Sequence, residues 1–134
     1  MKDQRTYGIR TTLDLPYAEA VERTREALKA EGFGVLSEID MKEKLKEKLN
    51  VEFKNYLILG VCNPPLAYKA LQAELEIGLL LPCNVIVYES GVGKSIVSAV
   101  DPDAILDVVG ENPRVAEVAR DARTRLRRAI DSLK

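Results

Sequence analysis

Hydrophobic and polar positions alternate over residues 7–15. Ile9, Thr11 and Leu13 fall on one face, against Arg10, Thr12 and Asp14 on the other, the two-residue period of a half-buried strand. The period then lengthens to three and four. Ala18, Val21, Thr24 and Leu28 share one face of a helix that opens at Pro16 and stops at Gly32, where glycine accepts the left-handed conformation that ends many helices. Residues 33–40 return to period two, with Phe33, Val35, Ser37 and Ile39 on one face and Leu36, Glu38 and Asp40 on the other. Asp40 with Glu43 three residues later has the spacing of a capping box. It predicts a short lysine-rich helix with Met41, Leu45 and Leu49 pointing inward.

Residues 56–62 read Tyr-Leu-Ile-Leu-Gly-Val-Cys, a near-continuous apolar run typical of a central strand covered on both faces. Asn63 and Pro64 open another helix, whose buried stripe is Leu66, Ala67, Ala70, Leu71 and Leu75. Residues 85–88 and 95–100 flank Gly91-Val92-Gly93-Lys94, so they predict a hairpin. A short helical turn should run from Asp101-Pro102 toward Val109. Val115, Val118, Ala122, Leu126, Ile130 and Leu133 then mark a long amphipathic helix with six arginines mostly on its other faces. This helix should close over the sheet or meet a second subunit. The order β-α-β-α-β-α-β-β-α predicts an α+β two-layer sandwich built on one mixed β-sheet. The pattern does not say which strands are neighbours.

The 134 residues suit a single domain spanning 1–134, and 46% hydrophobic residues can fill its core. Twenty basic and 21 acidic side chains leave a net charge of −1, which argues against a surface built to grip nucleic acid phosphates. The longest apolar stretch, residues 77–81, is about a quarter of a membrane span. No apolar signal core follows the mixed charges of Met1-Lys2-Asp3-Gln4-Arg5. A cytoplasmic protein without a membrane partner is the expectation. Charged residues at 31%, beside two glutamines and five asparagines, lean toward a heat-adapted, thermophilic source. Histidine is absent, which removes the commonest general base and the commonest transition-metal ligand.

Four local signals carry candidate chemistry. Gly93-Lys94-Ser95 echoes the end of a phosphate-binding loop, but Tyr88 stands where that loop needs its first glycine, and strand-like residues follow where it needs a helix. A hairpin turn accounts for it better. Cys62 ends a central strand one residue before a helix start. There the helix dipole would favour a thiolate, while the plainer reading is a small buried hydrophobe with Asn63 as a cap. Cys83 follows Pro82 at the start of the next strand. Consecutive parallel strands would part the two cysteines, whereas an antiparallel return would bring them together, so a redox pair or shared metal stays open. Glu38 and Asp40, two apart on one strand, can project from one face. They could bind a divalent cation or shift each other's pKa, or pair with a lysine such as Lys42 or Lys44.

Gly32-Phe33, Glu38-Ile39-Asp40, Cys62-Asn63-Pro64, Ile77-Gly78, Leu81-Pro82-Cys83-Asn84-Val85 and Val87-Tyr88 together resemble the domain-of-unknown-function family 302, from about Tyr7 into the C-terminal helices. The resemblance implies a small α+β domain with helices packed on one face of the sheet. It implies no activity. It does direct attention to Glu38, Asp40, Cys62, Asn63, Pro82, Cys83 and Tyr88, several of them at strand ends or helix starts, where open sheets tend to hold ligands.

The function expected from these residues is a non-enzymatic binding domain, homodimeric, taking a small molecule or ion in a pocket near Glu38, Asp40, Cys62 and Cys83. Asn63 and Tyr88 are further ligand-binding candidates. No catalytic residue, metal or cofactor is assigned. One alternative is a thiol-dependent enzyme with Cys62 as nucleophile and Glu38 or Tyr88 as proton carrier, a reading weakened by the missing histidine. Another is a structural or regulatory dimerisation module working through the C-terminal helix.

Overall fold

A computed structural model describes residues 7–134. Its strands are β1 (Gly8–Leu13), β2 (Gly34–Asp40), β3 (Tyr56–Cys62), β4 (Cys83–Gly91) and β5 (Lys94–Val100). Its helices are α1 (Tyr17–Ala30), α2 (Met41–Leu49), α3 (Pro64–Ala73), α4 (Asp103–Val109) and α5 (Pro113–Asp131), with a 3₁₀ segment at Leu75–Leu80. The strands form one open sheet in the order β1-β5-β4-β3-β2. The two-layer α+β architecture is as expected. The sheet, however, is antiparallel at every pairing and not mixed. β1 and β2 do run the same way, but the β1–α1–β2 crossover carries them to opposite edges of the sheet, so they never pair.

One face of the sheet carries the core. Ile9 and Leu13 from β1, Leu59 and Val61 from β3, Val85 and Val87 from β4, and Val97 and Ala99 from β5 pack against Ala20, Val21 and Leu28 of α1 and Leu126 and Ile130 of α5. Ala20 takes the place expected of Ala18, which is exposed. Thr24 is buried in the same stripe because its hydroxyl donates to the Ala20 carbonyl at 2.7 Å, leaving no orphaned polar atom. The apolar stripe of α5, from Val115 through Ala119, Ala122, Leu126 and Ala129 to Ile130, is buried within the chain.

Three expectations are corrected. In β2 the register shifts between Val35 and Ser37. This β-bulge turns Glu38, opposite Leu59, and Asp40, opposite Leu57, to the helix side, while Ser37 and Ile39 face outward. In α2 no residue is buried, and Leu49 is exposed, since the helix spans only the end of the edge pair β2–β3. α3 ends at Ala73, and Leu75 begins the 3₁₀ segment as an exposed residue. The glycine-rich string is a hairpin turn between β4 and β5, with Gly93 at φ +67° and Val92 fully exposed, as turn chemistry requires.

Candidate functional site

A cavity of about 350 Å³ opens where the helical layer meets the ends of β3 and β4. Val61, Cys62 and Cys83 line it from the sheet. Leu66, Ala67 and Ala70 of α3 face Val115, Ala119 and Ala122 of α5 across it. Ile77, Gly78 and Leu81, with Pro102 and Ile105 at the start of α4, complete the wall. The hollow lies between two packed clusters. Phe33, Val61 and Cys83 belong with the main core, whereas Ala70, Ile77 and Val115 form a smaller cluster with α4 and the 3₁₀ segment. Four alanines on the facing helices leave the space that larger side chains would fill. Protein interiors rarely leave voids larger than a water molecule, and this one has the volume of a small-molecule site.

Asn63 sets the geometry at the sheet end. Its Oδ1 accepts from the Leu66 backbone N–H at 3.4 Å, capping α3, and its Nδ2 donates to the Glu31 carbonyl at 3.5 Å. It is buried and its side chain is occupied by these two bonds. Among the described residues no buried side-chain nitrogen or oxygen lacks a partner. The cavity therefore offers an entering molecule little beyond apolar surface and two thiols.

Those thiols are neighbours in the sheet. Cys83 stands opposite Val61 in the β3–β4 pairing, one residue from Cys62, so the antiparallel return brings them to the same rim. Both are free. Burial pushes the Cys83 thiol up to about 11, with Cys62 adding to the shift, and burial also raises Cys62. Desolvation outweighs any help from the start of α3, so both groups are thiols at neutral pH.

The other sequence candidates lie elsewhere. Glu38 and Asp40 do not line the cavity. Glu38 pairs with Arg25 of α1, the role foreseen for a lysine. Asp40 accepts from the Glu43 backbone N–H at 3.0 Å and caps α2. Tyr17 of α1 completes this polar edge; its pKa is raised by burial and by the nearby charges of Asp40 and Glu38. Tyr88 is on the opposite face of the sheet, stacked on Tyr56 with ring centroids 5.3 Å apart, and its hydroxyl accepts from Arg10 Nη2 at 3.3 Å. The sequence signal for the cavity itself was the run of alanines 67, 70, 119 and 122, which reads in isolation as ordinary helix stripe.

The fold is thus that of a small α+β domain with an open antiparallel sheet and an apolar hollow at one end. The family model described as Domain of unknown function DUF302 matches residues 9–133, and the chain belongs to that family. It is similar to the crystal structure of an uncharacterized conserved DUF302 protein from Bacillus stearothermophilus, with 32% identity and a TM-score of 0.87, over 96% of this chain and 99% of that one. Among curated proteins none matches. No helix among the described residues is long and apolar enough to cross a membrane.

Proposed function

We propose that the protein is a non-catalytic binding domain for a small, largely apolar molecule held between α3, α4, α5 and the ends of β3 and β4. The observation that carries this reading is the 350 Å³ hollow lined almost wholly by apolar side chains. Filling it would recover dispersion and desolvation free energy that the empty chain forgoes. Among the described residues no group of three or more Cys, Asp or Glu could hold a metal ion, so the reading favours a molecule over an ion. The raised thiol pKa values weigh against Cys62 as an activated nucleophile. Two unpaired cysteines suit a reducing compartment, and the proposed setting is the cytoplasm, with the chain acting as one domain in a homodimer.

Titration with 1-anilinonaphthalene-8-sulfonate, and by calorimetry with decanol, tests the reading. The wild type should bind both in the micromolar range, with a negative heat-capacity change. Ala67→Leu and Ala122→Leu, which project new volume into the hollow, should each weaken binding at least about tenfold (about 1.4 kcal/mol) while the thermal midpoint holds or rises. Absence of binding to both probes, or undiminished binding in both variants, would sink it.

A further inference from the structure

The outward face of the sheet is the second unusual surface. In an antiparallel sheet with one face on the core, the other face ordinarily carries polar residues. Here the register assembles two rows across the sheet that are mostly apolar. Ile39, Ile58 and Ile86 stand side by side on β2, β3 and β4, continued by Ser98 and Arg10. Beside them run Tyr56, Tyr88, Ile96 and Thr12. Phe53 extends the aromatic end, its ring centroid 6.2 Å from that of Tyr56. Arg10 is the one charged residue in the two rows, and no residue of either is fully buried by a described helix or loop.

We propose that this face is the homodimer interface, covered by the same face of a second copy of the chain. Three observations choose that occupant. The apolar stripe of α5, the other candidate seam, is already spent inside the chain. The apolar residues of the two rows run from β2 to β5, with Ile86 and Tyr88 on β4, the middle strand of five, so a second copy turned about a two-fold axis can meet them with the same residues. Five strands about 4.8 Å apart and about six residues long give a flat footprint of roughly 500 Å². Standing side chains raise the accessible area toward the ~800 Å² that each partner contributes to a standard interface. Sheets packed this way interdigitate their facing side chains. A two-fold axis lying across the strands between the two rows would set Ile58 and Ile86 of one copy over Tyr56 and Tyr88 of the other, and Arg10 over Thr12 and not over its own counterpart. A net charge of −1 per chain adds little repulsion. The proposal does not depend on the cavity holding a ligand.

Sedimentation of the full chain tests it. The wild type should sediment at twice the 14.9 kDa chain mass at micromolar concentration. Ile86→Lys, at the centre of the face, should raise the dimer dissociation constant at least about 30-fold, the scale of a central contact. Ile58→Thr, which keeps a β-branched side chain, should raise it less and guards against misfolding of the lysine variant. Arg127→Glu, on the exposed side of α5, should change nothing. Hydroxyl-radical labelling of Tyr56 and Tyr88 should fall as wild-type concentration rises. A wild-type monomer at about 100 µM, where a dimer of micromolar affinity would be almost fully formed, or a dimer unmoved by both isoleucine variants, would overturn the proposal.

Discussion

Gly32 and Asn63 share a space that only glycine leaves open: a Cβ on Gly32 would stand 2.9 Å from Asn63 Nδ2. Gly32 also has φ +85°, where any L side chain is strained. Asn63 uses that clearance to reach the Glu31 carbonyl while capping α3. The end of α1 is thereby tied to the start of α3 at the cavity's sheet end. Gly32→Ala should cost about 2 kcal/mol in urea unfolding, from the φ penalty and the contact together. Asn63→Ser retains a capping oxygen but withdraws the amide. In the Gly32→Ala background it should return the steric part, so the double variant is more stable than the sum of the singles predicts.

The two rim thiols give a pH signature. In the folded chain Cys83 keeps its proton up to about 11, against an ordinary 9.0. Between those values the folded chain binds a proton that the unfolded chain has lost, so stability falls as pH rises through this window. The loss should reach up to about 3 kcal/mol, and it should be much reduced in Cys83→Ala. Below pH 8 the two proteins should show parallel stability profiles. Iodoacetamide should modify native Cys83 far more slowly than the unfolded chain at pH 8, with Cys62 intermediate. A fast native reaction at Cys62 would instead revive the nucleophile reading.

The periodicities that predicted α1, the β4–β5 hairpin and α5 worked because burial decides those elements, and a buried face writes its period into the sequence. The apolar run of β3 is a strand as expected, but only one of its faces is covered by helices. Ser37 and Ile39 do not share the face of Phe33 and Val35, as their spacing predicts, for a physical reason. The bulge between Val35 and Ser37 shifts the register by one, and a one-residue shift exchanges the two faces of everything after it. No residue of that exposed edge strand is buried, so nothing in its pattern marks the shift. A pocket near Cys62 and Cys83 is expected from the sequence, but its helical walls are not legible there, because the hollow belongs to no element. It is a distance between α3 and α5, and Ala67, Ala70, Ala119 and Ala122 look alike whether their Cβ atoms meet a neighbour or a void. Cys62 and Cys83 were legible as candidates but not as neighbours, because strand direction is a property of the whole topology.

The two β2 carboxylates should behave as different kinds of group despite their spacing. Glu38 pairs with Arg25 at the surface, with both side chains at least 30% exposed, so Glu38→Gln should cost under about 1 kcal/mol and less in high salt. Asp40 caps a helix that buries nothing. Asp40→Ala should therefore act locally, raising amide exchange across α2 by a factor expected from losing about 1 kcal/mol. Global unfolding should move much less than exchange in α2. Equal effects of the two variants on global stability would mean that the carboxylates act as one unit.

Asp101 and Arg123 hold α4 over the cavity. Arg123 Nε donates to both Asp101 oxygens, at 3.1 and 3.2 Å, while Asp101 Oδ1 also accepts from the Asp103 backbone N–H at 3.0 Å. Asp101 is 9% exposed, so its charge depends on these partners, and losing them leaves a carboxylate poorly solvated. Its position matters because Pro102 and Ile105, the next residues along, line the hollow. Arg123→Met should destabilise the chain by about 1–3 kcal/mol, and Asp101→Asn, which keeps an acceptor for the α4 start, by less. Both should increase amide exchange in α4 more than in α1. If the cavity binds an apolar molecule, both should also speed its release. A stopped-flow measurement of anilinonaphthalene sulfonate dissociation would show this as a faster off-rate with a smaller change in on-rate. Unchanged exchange in α4 would mean that the segment is held by its apolar contacts with α5 and not by this ion pair.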